Sequence, residues 1–345
     1  MECKKYLEKA TVPLKLKERS ISELVSSMRF FGFQGRKLGE SLHLWDEMLE
    51  SKKTIIFLGL AGAVVPAGLR CIISELIKKR FVDCLVSTGA NIFHDIHECL
   101  GRKHYIGTHN IDDRELLKFR VDRIHDIFAS ENEFRESDKE IEKFIENMER
   151  RIYSSREFLD LLGNWLVNEA KEKEGILLSA LSSNVPIFVP ALCDSSIGIS
   201  IMLARKKDYE LLIDHMKDVD EIMKIVEKAE NTGVIYVGGG VPKNFIQQTE
   251  VMLDFFKGKV VGHKYAIQYT TDNPFFGGLS GCTFDEAISW GKIAPDAKKI
   301  QVFTDATIAL PIIAHALLEI RKGKKRDVPN FEWKNDELRL EWKRC

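Results

Sequence analysis

The apolar and polar positions change period near residue 54. Up to residue 53 the chain is charged, and its apolar residues recur three and four apart, as in Ile21-Ser22-Glu23-Leu24-Val25 running on to Met28. That spacing predicts helices over 21–28 and 34–49, an arm that packs on the main domain or on a partner subunit. Thr54-Ile55-Ile56-Phe57-Leu58-Gly59-Leu60 is then a continuous apolar run closed by small residues. This is the pattern of a parallel strand buried on both faces. Similar runs recur at 82–87, 186–190, 233–237, 259–270 and 300–303. Amphipathic stretches at 61–79, from His94, at 209–229 and at 310–322 separate or follow them.

Strands alternating with helices predict an α/β fold with a doubly wound, mainly parallel, Rossmann-like sheet. The expected organisation is an N-terminal helical arm over 1–53, an α/β domain over 54–322 and a polar tail over 323–345 that carries Trp333 and Trp342. A charged stretch at about 107–175, with helical runs at 131–151 and 155–173, reads as an insertion or helical layer over the sheet.

Charge adds little. Fifty-one Lys and Arg face 52 Asp and Glu, a net charge of −1, which implies neither a nucleic-acid nor a membrane partner. No apolar run reaches membrane-spanning length. Met1-Glu2-Cys3-Lys4-Lys5 lacks the apolar stretch of a signal peptide. The seven cysteines are scattered and include no CxxC pair, which predicts reduced thiols and a cytoplasmic protein.

Ligands of open parallel sheets sit beyond the carboxyl ends of the strands. Gly238-Gly239-Gly240 follows one expected strand and precedes a helix. Such glycines let backbone amides approach a phosphate, and the helix N-terminus favours its charge. The spacing is not GxGxxG, so a plain tight turn fits equally. Thr88-Gly89-Ala90 repeats the logic with a hydroxyl. Asp194-Ser195-Ser196 has no nucleophile-elbow context and reads as a polar turn. His94, His97 and Cys99, with His104 and His109 nearby, invite a metal reading, but they lack the HExxH spacing and a second ligand pair, so no metal is expected.

Lys292 follows Trp290 and Gly291. Desolvation beside an aromatic ring prepares a lysine for Schiff-base chemistry. Glu286 lies six residues earlier, beyond direct helical contact, and a break at Gly291 would be needed to bring it close. The competing reading is a surface lysine closing an amphipathic helix, with Trp290 in the core.

Four blocks decide between such readings. They are Leu85-Val86-Ser87-Thr88-Gly89-Ala90, Pro190-Ala191-Leu192-Cys193-Asp194-Ser195-Ser196-Ile197-Gly198, Val237-Gly238-Gly239-Gly240-Val241-Pro242-Lys243, and the segment 284–293 followed by Phe303-Thr304-Asp305-Ala306-Thr307. In this order, over about 54–318, the chain resembles the deoxyhypusine synthase family. Thr270-Thr271-Asp272, Gly277-Gly278-Leu279-Ser280-Gly281 and Pro242-Lys243-Asn244-Phe245 look closest to its deoxyhypusine synthase-like, homospermidine synthase-type branch.

The resemblance implies an NAD-dependent aminoalkyl transferase. It assigns NAD contacts to Thr88, Gly89 and Ala90, to Asp194 and Ser196, and to Gly238, Gly239 and Gly240. It adds Thr271, Ser280, Asp305 and Ala306, although Asp305 also suits a helix N-cap. Lys292 would capture the aminobutyl group of spermidine as a Schiff base. Glu286 would steer amine protons, Trp290 would form a wall, and His94 would line the pocket. Where the eukaryotic enzymes hold a polyamine with carboxylates and a histidine, this chain has Ile199, Asn244, Phe276 and Leu279. Asp272, Asp112 and Asp113 are the candidate replacements. Kept chemistry with an altered substrate follows. The acceptor is a small diamine such as putrescine, or alternatively a lysine of translation factor 5A. The resemblance also implies a homotetramer whose sites are shared across a dimer interface. The rival readings are an NAD-dependent deacylase, whose zinc-binding cysteine spacing is missing here, and a non-catalytic NAD-binding protein.

Overall fold

Six parallel strands build the central sheet: β1 (Thr54–Leu60), β2 (Cys84–Ser87), β3 (Ile187–Phe188), β4 (Asn231–Val237), β5 (His263–Thr270) and β6 (Ile293–Phe303). This is a computed structural model, and residues 7–258, 261–334 and 337–345 are described. Across the sheet the order is β3-β2-β1-β4-β5-β6, every neighbour parallel. The chain winds outward from β1 to β3, then restarts on the other side of β1 with β4. That reversal is the topological switch point of a doubly wound fold, the architecture the alternating pattern predicts.

The helices are α1 (Ile21–Met28), α2 (Phe33–Glu50), α3 (Arg70–Lys78), α4 (Gly89–Cys99), α5 (Asp113–Phe119), α6 (Glu131–Glu146) and α7 (Ser155–Glu169). They continue as α8 (Ile176–Ser183), α9 (Ser196–Arg205), α10 (His215–Lys228), α11 (Gly240–Lys257), α12 (Phe284–Ser289) and α13 (Ala306–Ile320). Successive side chains of β1 point to opposite faces. Ile56, Leu58 and Leu60 join one core with Trp45, Ile73, Ile92 and Leu317. Ile55 and Phe57 join the other, with Ile222, Ile246 and Phe284. Burial on both faces is why β1 reads as an unbroken apolar run.

The N-terminal arm packs on the main domain of its own chain. Trp45 is fully buried and donates its indole N–H to Phe81 O at 3.1 Å. Ser22 N donates to Glu319 Oε2 at 2.9 Å. The segment Met1-Glu2-Cys3-Lys4-Lys5 and the start of the 259–270 run lie outside the described residues.

Three elements differ from the sequence reading. The tail is an antiparallel hairpin of Asp327–Lys334 and Glu337–Arg344, with Phe331 and Leu338 in the second core. Arg326 and Arg80 anchor it by converging on the fully buried Asp83. The insertion holds a three-stranded antiparallel sheet of Tyr105–Ile106, Ile127–Ser130 and Val121–Ile124 before α6 and α7. β6 begins at Ile293, not near 300. It is an edge strand, and an edge tolerates the Pro295 and charges that hide it from a pattern search. Among the described residues no helix is long and apolar enough to cross a membrane. Cys71, Cys84, Cys99, Cys193, Cys282 and Cys345 are free thiols.

Candidate functional site

A cavity of about 470 Å³ opens above the carboxyl ends of β1, β2, β4 and β5, at the switch point. Ala61 follows β1, Thr88 follows β2, Gly238 follows β4 and Thr271 follows β5. Of the residues assigned to cofactor contact, Thr88, Gly89, Asp194, Gly238, Gly239, Gly240, Thr271, Ser280, Asp305 and Ala306 all line it. Ala90 and Ser196 do not; Ala90 follows the lining residue Gly89, and Ser196 lies two residues after Asp194.

The walls are built from backbone. Gly238 and Gly240 have φ of 73° and 57°, the left-handed region that favours glycine. Gly239 is closely overlaid: a Cβ there would lie 2.5 Å from Ser280 Cα. Ser280 Oγ accepts from Gly240 N at 3.0 Å, clipping the 277–283 loop to the glycine turn. Helices α4, α11 and α13 begin at this cavity with Gly89, Gly240 and Ala306. Their amino ends give it a positive field suited to phosphate oxygens. Asp305 is the N-cap of α13, accepting from Thr307 N at 2.7 Å, and it faces the cavity as well. Asn91 went unnoticed in the sequence. It is fully buried and accepts from Val64 N at 2.9 Å, tying the turn after β1 to α4.

The catalytic candidates lie outside this lining. α12 ends at Ser289, Gly291 turns with φ 69°, and Lys292 N donates to Ala287 O at 3.1 Å. The break at Gly291 is therefore present. It does not join Glu286 to Lys292: Glu286 is exposed and interacts with the Cys282 thiol, whose pKa is raised by burial and then by this carboxylate among others. Lys292 Nζ instead donates to Asn244 Oδ1 at 3.1 Å and sits 5.3 Å from the Trp290 ring centroid. Trp290 is 63% exposed, so it is neither core nor, within one chain, an enclosing wall. Ile199, Phe276 and Leu279 are also exposed. Asp272 lines the cavity, whereas Asp112 and Asp113 are engaged by Arg114 and Arg123.

His94 lies on α4, buried, with Nδ1 3.0 Å from His104 Nε2. His97 bonds Ser137 Oγ at 3.0 Å. Burial, assisted by His104, holds both His94 and His97 down to about 3. No hydrogen bond or ring contact links His94 to Lys292, Glu286 or Trp290 among the described residues. Nor do three His, Cys, Asp or Glu side chains there form a group able to hold a metal ion.

Lys243 was missed. It is 1% exposed, and its Nζ donates to two neutral oxygens, Gln268 Oε1 at 3.1 Å and Cys282 O at 2.8 Å. Burial lowers its pKa to about 8, and it feels the charges of Glu286, Lys292 and Asp272. The available signal was a cation in the first turn of a helix, where the dipole disfavours it. The unfolded chain keeps this lysine protonated to its ordinary 10.5, the folded chain only to about 8. Between those values the unfolded state binds more protons, so stability from this group rises with pH there and is absent below 8. The difference in unfolding free energy between wild type and Lys243→Met should change in that direction from pH 8 to 10; a flat difference would contradict the assignment.

A doubly wound α/β chain with a glycine-walled cavity at its switch point and an amine cluster beside it is the class that fold and site define. The deoxyhypusine synthase family model matches residues 23–317. A Methanosarcina mazei protein described as "Probable deoxyhypusine synthase 2" is 58% identical over 327 residues, 95% of each chain. An Archaeoglobus fulgidus protein of the same description is 54% identical over 293 residues, 85% of this chain and 96% of its own. A Chlorobaculum tepidum "Deoxyhypusine synthase-like protein" is 35% identical over 330 residues, 94% of each chain. The crystal structure of a "putative deoxyhypusine synthase" from Entamoeba histolytica has a TM-score of 0.59 at 20% identity, covering 89% of this chain and 97% of that one, which speaks for the fold. The chain belongs to the deoxyhypusine synthase family, a family of transferases acting on spermidine.

Proposed function

We propose that this chain moves the aminobutyl group of spermidine to an acceptor amine through an imine at Lys292, with NAD held in the switch-point cavity. The observation that carries this reading is the shared border of the two sites. Asp272 and Ser280 line the cavity, and the same loop leads through Cys282 to the cluster of Lys243, Glu286 and Lys292.

The cavity fits a dinucleotide. Its close-packed glycines admit a pyrophosphate to the amides of three helix starts, and Asp305 and Asp194 offer carboxylates to ribose hydroxyls. When bound, NAD accepts a hydride from the carbon beside the secondary amine of spermidine and later returns it. The chain's own residues do the rest. Lys292 attacks the electrophilic carbon, the C–N bond to diaminopropane breaks, and diaminopropane leaves with the proton it needs. The acceptor amine then displaces Lys292. Glu286 steers amine protons, and a second copy of the chain covers the exposed Trp290, Phe275 and Phe276 to exclude water. That copy belongs to the homotetramer expected from the resemblance.

Ile199, Asn244, Phe276 and Leu279 leave few charged holds for a long triamine, which favours a small diamine such as putrescine as acceptor. The names of the archaeal relatives favour the second reading, a lysine of translation factor 5A. Incubation with NAD and spermidine, plus either putrescine or factor 5A, separates them by mass spectrometry. Homospermidine with diaminopropane supports the first acceptor, and an aminobutyl mass gain on factor 5A supports the second. If neither sample releases diaminopropane, the transferase reading fails.

A further inference from the structure

One side chain joins the cavity to the amine cluster. Gln268 lies in β5 between Ile267 and Tyr269 of the first core, and strand alternation turns it to the other face with Ala266. It is fully buried. Its Nε2 donates to Gly238 O and to Ser280 O, each at 2.8 Å. Its Oε1 accepts from Lys243 Nζ at 3.1 Å and from Gln301 Nε2 at 2.8 Å. A primary amide has two N–H groups and two oxygen lone pairs, so its capacity is filled. A lysine only donates and a carbonyl only accepts, which fixes the amide in this one orientation.

The partners come from separate segments. Gly238 belongs to the turn after β4, Ser280 to the 277–283 loop, Lys243 to the start of α11, and Gln301 to the facing position of β6. Gly238 and Ser280 line the cavity. On the other side, Lys243 lies in the field of Glu286 and Lys292, and its chain neighbour Asn244 holds Lys292 Nζ at 3.1 Å. Gln301 extends the tie. Its Nε2 also donates to Cys282 O at 3.1 Å, the oxygen that Lys243 Nζ reaches at 2.8 Å. Its Oε1 accepts from the backbone N of Phe284, the first residue of α12, at 3.1 Å. A glutamine needed only to satisfy its own amide could draw its partners from one neighbour. This one takes a bond from every wall that the two sites share.

We infer that Gln268 is a positioning residue of the proposed reaction: its amide sets the distance between the wall that would hold the cofactor and the turn that holds Lys292. In that reaction the hydride leaves one carbon of the substrate, and the Lys292 amine attacks the same carbon. Cofactor and lysine must therefore converge on one atom, and a misplacement of about 1 Å costs roughly a hundredfold in rate. Gln268 touches no substrate; it acts through Gly238, Ser280 and Lys243. The amide is also uncharged, so it orients Lys243 without supplying a counter-ion.

The inference rests on the proposed function, and two complementary variants test it. Gln268→Glu keeps an oxygen for Lys243 and Gln301 but sets a carboxylate against Gly238 O and Ser280 O, which releases the cavity side. Lys243→Met releases the amine side and leaves Gln268 bonded to Gly238 and Ser280. With NAD and spermidine saturating, NADH formation in a single turnover should slow by about tenfold or more in each variant. The double variant should be no slower than the slower single. NAD affinity by calorimetry should stay at the wild-type value in Lys243→Met. A merely structural glutamine would lower the melting temperature and leave the saturated rate of the folded protein unchanged; that result in Gln268→Glu, or losses that multiply, overturns the inference. Should Gln268→Glu not fold, Gln301→Met, which takes one bond from the same amide and frees Phe284 N, replaces it with the same expected loss. Hydrogen exchange of the intact protein reads the tie without substrate. The amides of Gly240 and Phe284, bonded to Ser280 Oγ and Gln301 Oε1 at its two ends, should both exchange faster in Gln268→Glu, by about tenfold. A change at one end only, or at neither, overturns the tie. A wild-type chain that forms no NADH from spermidine overturns the proposed function instead, and the exchange rates then decide the tie by themselves.

Discussion

Lys292→Ala is expected to lower aminobutyl transfer by roughly three orders of magnitude or more, because the covalent step has no other nucleophile in place. The lysine is well sited for the role. It is half-buried just past the end of α12, held by one side-chain hydrogen bond to Asn244 and lying beside Trp290. Its removal breaks no core contact, so the variant should fold and bind NAD. Lys292→Arg should be equally inactive, since a guanidinium stays protonated and cannot attack an imine carbon. The second amine of the cluster, Lys243, does not substitute: it is buried and committed to Gln268 and Cys282. The check is borohydride trapping with spermidine and NAD, read by peptide mass spectrometry. Wild type should carry an aminobutyl adduct on Lys292 and Lys292→Ala none. Retained transfer in Lys292→Ala would mean that direct displacement, without a covalent stage, runs the reaction. A non-catalytic NAD-binding role would leave both chains without an adduct.

Gly239→Ala should separate cofactor binding from the lysine chemistry. A Cβ at this position meets Ser280 Cα at 2.5 Å and Ser280 Cβ at 2.7 Å. These atoms belong to the loop and its anchoring residue, not to the tip of a flexible side chain, so the 277–283 loop has to retreat. Retreat also breaks the Ser280 Oγ bond to Gly240 N and opens the wall shared by cavity and amine cluster. NAD affinity should fall by roughly tenfold or more, about 1.4 kcal/mol per factor of ten. Gly278→Ala is the matched control. Its φ is −70°, and a Cβ there has nothing within 4 Å. Calorimetric titration of both with NAD makes the comparison. Wild-type affinity in Gly239→Ala would show that the cofactor does not use this turn.

The central architecture was legible because its signals are local. The run Thr54–Leu60 is apolar throughout since both of its faces are covered, and the glycine turn is visible since only glycine adopts the required φ at low cost. The strand–turn–helix order of the four blocks put Thr88, Asp194, Gly238 and Asp305 at the carboxyl edge of one sheet, and the cavity lies there. Other features left weak traces. β6 carries a proline and three charged residues over Ala294–Lys299, and the terminal hairpin carries Pro329 amid charges, so neither shows a clean strand period. The hairpin is held by Arg80, Asp83 and Arg326, residues distant in sequence that meet only after folding.

The chain's order of residues by itself determined the doubly wound sheet, the place of its switch point and the residue types gathered there, because periodicity and glycine turns act over a few neighbours. Tertiary structure alone decided which polar groups became chemically distinct. Lys243 and Lys292 are both lysines beside aromatic residues, yet Lys243 lost its water to Gln268 and Cys282, while Lys292 beside the exposed Trp290 kept contact with the surface. Glu98 and His104 are six residues apart, and His104 and His94 ten; only the turn after α4 brings them into line. Burial and hydrogen-bond direction set charge and tautomer, and both depend on neighbours that the linear order does not place together.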